Sequence, residues 1–193
     1  MGAQLKTGII VDVEATCWET RTEQGAQPNE IIEIGVAVLD FKSGAIVDNA
    51  SIVVKPRFTK VSPFCTQLTG WTQEAVDEGF DIVDALRDFE SQFNPSRESI
   101  WFSCGEYDRL KLSSKTGKPG LFELYGITAD QNPFDLMRSH LNIKTLFALK
   151  QKMSKEVGME RMLNIMNERL EGRHHNGADD AKNIAKIVRY VLS

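Results

Sequence analysis

The sequence predicts an α/β layer fold built on a mixed sheet. Short β-branched runs crowd the first 56 residues, the apolar spacing then changes to a helical period, and strand and helix mix from there to the end. In chain order, Ile9 to Val13 reads as a strand apolar on both faces, hence central. The polar stretch ETRTEQGAQPNE, with Gly25 and Pro28, follows as a loop. IIEIGVAVLD (Ile31 to Asp40) and AIVDNASIVVKP (Ala45 to Pro56) are the second and third strands, and FKSGA between them suits a hairpin turn.

Ile82, Leu86, Phe89 and Phe93 then share one face of a helix. SIWFSC (Ser99 to Cys104) is a fourth strand, ended by Gly105. Further helices are predicted over Leu136 to Leu149, from about Met159 to Asn167, and from about Asp179 to Val191.

Composition fits a single globular domain spanning residues 1–193, with 41% hydrophobic and 26% charged residues. No apolar run is long enough to cross a bilayer, so no membrane association is expected. No basic segment followed by an apolar stretch opens the chain, so no secretory leader is expected. Cys17, Cys65 and Cys104 form neither a disulfide framework nor a zinc pair, which favours a reducing, cytoplasmic compartment. A net charge of −4 gives no general attraction for nucleic acid. A local basic strip, with Arg109, Lys111, Lys115 and Lys118, is either a solvated loop or a phosphate contact.

Two acids sit in the first strand. Asp12 and Glu14 are two positions apart and project from one face of the sheet. Like charges held that close repel, and a divalent cation between them removes the conflict. The alternative is a strand that ends near Asp12 with both acids in water. In the last helix, Asp180 lies on the stripe with Ile184, Ile187 and Val191, within about 40° at ~100° per residue. Asp179 lies with Asn183, Lys186 and Tyr190 on a polar face. Asp180 therefore points inward, either as a metal ligand shared with Asp12 or as an acid favoured by the helix dipole.

His174 and His175 precede Asp179 and Asp180 by the same five positions, so an inward Asp180 makes His175 its companion and a candidate general base. Glu106 and Asp108 follow the fourth strand, at the sheet edge where α/β sites form, and spacing does not separate them.

The segments VDVEATCW, IIEIGVAVLD, SPFCTQLTGWTQEAV, SCGEYDRL and HHNGADDAKNIAKI occur in one order over nearly the whole chain. In that order they resemble the DEDDh family of 3′→5′ exonucleases, which includes ribonuclease T and the proofreading subunit of bacterial replicative polymerase. The D-x-E-A-T-C and C-x-x-L-T-G-x-T segments are most similar to the branch that trims histone mRNA ends, small interfering RNA and ribosomal RNA. The resemblance implies a ribonuclease-H-like mixed five-stranded sheet flanked by helices. It implies Asp12, Glu14, Asp108 and Asp180 as metal ligands, which leaves Glu106 out, with His175 as general base and Glu14 beside it in catalysis. The family's central Ala-Leu in the last motif is Gly177-Ala178 here.

The activity so implied is two-metal hydrolysis with two Mg²⁺ ions, for which Mn²⁺ can substitute, releasing nucleoside 5′-monophosphates from the 3′ end of RNA, or of DNA. Single-stranded 3′ ends and structured RNA with 3′ overhangs are the expected partners. A catalytically silent nucleic-acid-binding module of the same fold is the alternative. Trp18 and Cys17, directly after the first acids, with Phe64 and Leu68 in a SPFCTQLTG loop, are either walls of a slot for the terminal base or plain core residues.

Overall fold

A computed structural model describes residues 5–115 and 120–193. Five strands form one sheet: β1 (Thr7–Ala15), β2 (Ile31–Asp40), β3 (Ile46–Val53), β4 (Ile100–Ser103) and β5 (Ser139–Asn142), in the order β3-β2-β1-β4-β5. β1 pairs antiparallel with β2 and parallel with β4, β2 pairs antiparallel with β3, and β4 pairs parallel with β5. The sheet is therefore mixed, and β1, apolar on both faces, is its centre. The hairpin between β2 and β3 closes with Asp40 N–H on the Ala45 carbonyl at 2.9 Å.

The helices are α1 (Arg21–Gln24), α2 (Pro63–Thr69), α3 (Gln73–Asp77), α4 (Ile82–Phe93), α5 (Tyr107–Leu112), α6 (Leu121–Tyr125), α7 (Pro133–Leu136), α8 (Ile143–Lys150), α9 (Met159–Ile165) and α10 (Gly177–Leu192). Two cores sandwich the sheet. Ile9, Val11 and Val13 of β1 meet Ile82, Leu86 and Phe89 of α4 on one face. Ile10 meets Phe147 of α8, Met162 of α9 and Ile184 and Ile187 of α10 on the other. Alternation along β1 thus sends Asp12 and Glu14 to the α10 face.

Three sequence expectations are corrected. Within ETRTEQGAQPNE, expected as a loop, lies α1, whose start Thr20 caps by accepting from Glu23 N–H at 3.2 Å. The helix expected over Leu136 to Leu149 is strand β5 followed by α8. Its apolar spacing imitates a helical period, but Arg138 N–H reaches the Ser99 carbonyl and Ser139–Asn142 pair with Ile100–Ser103, so tertiary pairing prevails. Asn142 ends the strand and caps α8, its Oδ1 accepting from Lys144 N–H at 3.0 Å. The SPFCTQLTG segment is helix α2 rather than a loop. Ser62 caps its start through Cys65 N–H, Pro63 opens its first turn, and Gly70 ends it in the left-handed region at φ 88°. Of the basic strip, Lys118 lies outside the described residues. Among the described residues, no helix is long and apolar enough to cross a membrane.

Candidate active site

Close backbone contact brings the acids together. Gly35 of β2 lies opposite Asp12 in the β1–β2 register. The start of α10 presses onto it so tightly that a Cβ at Gly35 would stand 1.9 Å from the Gly177 carbonyl carbon. A Cβ at Gly177 would stand 3.0 Å from the Asp12 carbonyl oxygen. Asn176 caps this end of α10 by accepting from Asp179 N–H at 3.1 Å.

The result is a cluster in which ligand oxygens of Asp12, Glu14 and Asp180 all lie within 4.8 Å of one another. Asp12 is half-buried, while Glu14 and Asp180 are buried. Asp108 approaches from α5, and its Oδ1 accepts from Val13 N–H at 3.0 Å, between Asp12 and Glu14 along the strand. Glu106, by contrast, is exposed and paired with Arg109. The structure separates two acids that spacing left equivalent. Asp179 pairs with Lys182 at 2.9 Å and accepts from Arg173 N–H, away from the cluster.

Without a counter-charge, burial and mutual repulsion raise the pKa values of all four acids. Burial, then Asp108, Glu14 and Asp180, push Asp12 well above the usual carboxylate range. Burial and the charges of Glu33 and Asp180 raise Glu14 to about 8. Burial raises Asp108 to about 6 against the bond from Val13 N–H. Asp180 is raised by burial, against donors from His175 and His174.

Both histidines surround Asp180. Oδ2 of Asp180 accepts from the His175 backbone N–H at 2.9 Å and lies 2.9 Å from His174 Nδ1. Oδ1 is buried and has no hydrogen-bond partner among the described residues. His175 sits in the left-handed region at φ 63°, and its ring stacks on that of His174 at 4.0 Å. Burial, then the neighbouring His174, lower the His175 pKa, so its imidazole is neutral at pH 7 and can accept a proton. His174, Asp180 and His175 also form a set of candidate ligand atoms within 4.8 Å of one another. Hard carboxylate oxygens, mutual repulsion and an orphaned oxygen on Asp180 together fit a divalent cation.

Glu33, which sequence reasoning did not single out, organises this arrangement. It is fully buried and faces Glu14 across the β1–β2 pair. Four donors satisfy it: Ser51 Oγ (2.6 Å), Trp71 Nε1 (2.7 Å), Gly177 N–H (2.9 Å) and Ala178 N–H (3.2 Å). The available signal was an acid inside the β-branched run IIEIG, a buried charge that requires partners. Glu30 is a second buried acid that sequence reasoning passed over. It is held by Arg57 N–H, Phe58 N–H, Thr59 Oγ1 and Tyr125 OH, so its partners hold loops together.

The expected base slot lies where β1 ends. Ser62 Oγ donates to the Cys17 carbonyl at 2.6 Å and Cys65 Sγ to the Ala15 carbonyl at 3.6 Å, which binds α2 to the strand end. Trp18, Phe64 and Leu68 are half-buried and belong to none of the three buried core clusters found among the described residues. Cys17 packs against the small cluster of Ile32, Cys65 and Val76.

Known proteins share this architecture. A family described as Exonuclease (RNase_T) matches residues 9–100. ERI1 exoribonuclease 3 of Homo sapiens is 29% identical over 188 residues, covering 94% of this chain and 52% of that protein. The chain thus spans about half the length of that curated relative. The solved nuclease domain of 3′hExo, a DEDDh family member bound to rAMP, superposes with a TM-score of 0.77 at 27% identity, covering 97% of this chain and 92% of that one. A 3′-exonuclease solved in 3′-end-specific recognition of a histone mRNA stem-loop superposes with a TM-score of 0.78 at 27% identity, covering 97% of this chain and 63% of that one.

Proposed function

We propose that this chain, which is similar to DEDDh 3′→5′ exonucleases and to the branch that trims histone mRNA and small interfering RNA, removes nucleoside 5′-monophosphates stepwise from RNA 3′ ends. One observation carries the reading: carboxylates from β1 and α10, far apart in sequence, gather within 4.8 Å, and Asp180 among them lies within the same distance of the His175 imidazole.

Asp12, Glu14, Asp108 and Asp180 would hold two Mg²⁺ ions, or Mn²⁺ in their place. Bound divalent cations neutralise phosphate charge and make a water more acidic. His175 takes the proton from the attacking water. That water's oxygen ends on the phosphate of the released nucleotide, the P–O3′ bond breaks, and the 3′ oxygen of the shortened strand leaves with a proton. Glu14 stands next to that water in the proposed arrangement.

Trp18, Cys17, Phe64 and Leu68 form the slot for the terminal base. Stacking contributes roughly 1–3 kcal/mol per base and is tolerant of base identity, which suits stepwise removal. Single-stranded ends, and structured RNA with 3′ overhangs, are the proposed substrates, and DNA ends can enter the same slot. Three free thiols support a reducing, cytoplasmic setting.

The test uses a 5′-labelled RNA incubated with Mg²⁺ and then with EDTA. The expected result is a ladder shortening by single nucleotides only in Mg²⁺, with a circular RNA left intact. Cleavage of the circle would show an endonuclease, and no shortening in either tube would leave a silent binding module.

A further inference from the structure

Lys144 occupies the second position of α8, and its side chain lies along Gly105, directly after β4. Gly105 has φ +114°, and a Cβ there would stand 3.3 Å from Lys144 Nζ and 3.6 Å from Cε. The missing side chain leaves room for the lysine against the turn between β4 and α5, three positions before Asp108. Its ammonium also acts on the Cys104 thiol, which marks it as a neighbour of the end of β4.

Other cations around the site are engaged. Arg109 pairs with Glu106, Arg173 donates to the Gln67 carbonyl, and Lys111 donates to the Asn29 carbonyl. The Lys144 ammonium makes neither an ion pair nor a hydrogen bond to any of the described residues.

We propose that Lys144 binds a phosphate of the substrate strand, the one 5′ to the phosphate being cleaved. This rests on the exonuclease reading above. Cations held by the acids would meet the oxygens of the scissile phosphate directly. The next phosphate along the strand needs a counter-charge of its own, and half-buried Lys144, packed on Gly105 three positions before Asp108, supplies it. A lysine also tolerates any sequence, since it meets phosphate as a point charge.

Losing one phosphate contact flattens the salt dependence of single-strand binding by about 0.7 in log K against log salt. Binding of a fluorescein-labelled single-stranded RNA, held in Ca²⁺, is measured from 50 to 200 mM salt for wild type, Lys144→Ala and Lys144→Arg. Hydrolysis of the same RNA and of a p-nitrophenyl ester of a nucleoside 5′-monophosphate, which has no upstream phosphate, is measured in Mn²⁺.

Lys144→Ala is expected to flatten the salt slope and to lower kcat/KM on RNA about tenfold more than on the ester, with Lys144→Arg restoring the slope. An unchanged slope, or equal losses on RNA and ester, overturns the proposal. A wild-type chain that binds RNA but hydrolyses neither substrate overturns the exonuclease reading, and the salt slopes still decide Lys144.

Discussion

Glu33 and Gly177 are 144 positions apart and are joined by a 2.9 Å hydrogen bond from the Gly177 N–H to the Glu33 carboxylate. That bond, with its neighbour from Ala178, fixes the first turn of α10 to the sheet and so sets Asp180 opposite Asp12. Glu33→Gln turns one acceptor oxygen into a donor that faces other donors. Hydrogen bonds to a buried charge contribute about 1.5–3 kcal/mol each. Urea denaturation of Glu33→Gln is expected to show a loss of about 2–4 kcal/mol, together with weaker cation binding. Wild-type stability and affinity in this variant would reject the docking role.

The two glycines at this contact differ in tolerance. Gly35→Ala drives a methyl into the backbone of Gly177, which cannot yield without lifting α10. Gly177→Ala meets Asp12 O at 3.0 Å and Glu33 Cδ at 3.1 Å, which shifts of a few tenths of an ångström relieve. Gly35→Ala is expected to abolish cation binding, and Gly177→Ala to weaken it. Equal, wild-type-like calorimetry for both would contradict the close approach.

The acids also make stability depend on pH. Glu14 keeps its proton up to about 8 in the fold, against 4.5 for the free side chain. Between those values the folded chain binds more protons than the unfolded one, so the cation-free protein loses stability as pH rises through that window. Bound Mn²⁺ displaces those protons and binds better at higher pH. The rise in Tm on adding Mn²⁺ is therefore expected to be larger at pH 8 than at pH 5. An equal or reversed difference would mean that the raised acids do not take the cation.

Stacking at the slot predicts a separate pattern. Trp18→Ala and Phe64→Ala should each raise KM for RNA about tenfold or more, consistent with roughly 1–3 kcal/mol per stacked base. The effect should not change with salt, unlike loss of a phosphate contact. Unchanged KM in both variants would place the terminal base elsewhere.

Much of this arrangement was legible in the sequence. Continuous apolar, β-branched runs located β1 and β2, period-3.6 spacing located α4, and the apolar stripe of α10 separated Asp180 from Asp179. Strand β5 was not legible, because four residues, Ser139–Asn142, carry no alternation and become a strand only by pairing with β4. Helix α2 was legible in principle, since Ser62, Pro63 and Gly70 are its capping residues. The choice of Asp108 over Glu106 by geometry needed the contact with Val13, 95 positions away. Glu33 was hidden for the same reason, as its donors come from β3, the Trp71 loop and α10. The stacking of His174 on His175, and the place of His174 against Asp180, depend on a left-handed turn at a non-glycine residue, which spacing does not announce.

The central claim is that these carboxylates cage divalent ions at the reacting phosphate. Crystals grown with Mn²⁺ and a nucleoside 5′-monophosphate, recorded for anomalous scattering, test it most directly. Two manganese peaks are predicted among Asp12, Glu14, Asp108 and Asp180, with the nucleotide phosphate against them. Manganese bound only elsewhere, or a nucleotide seated away from Asp12 and Asp180, would contradict the account.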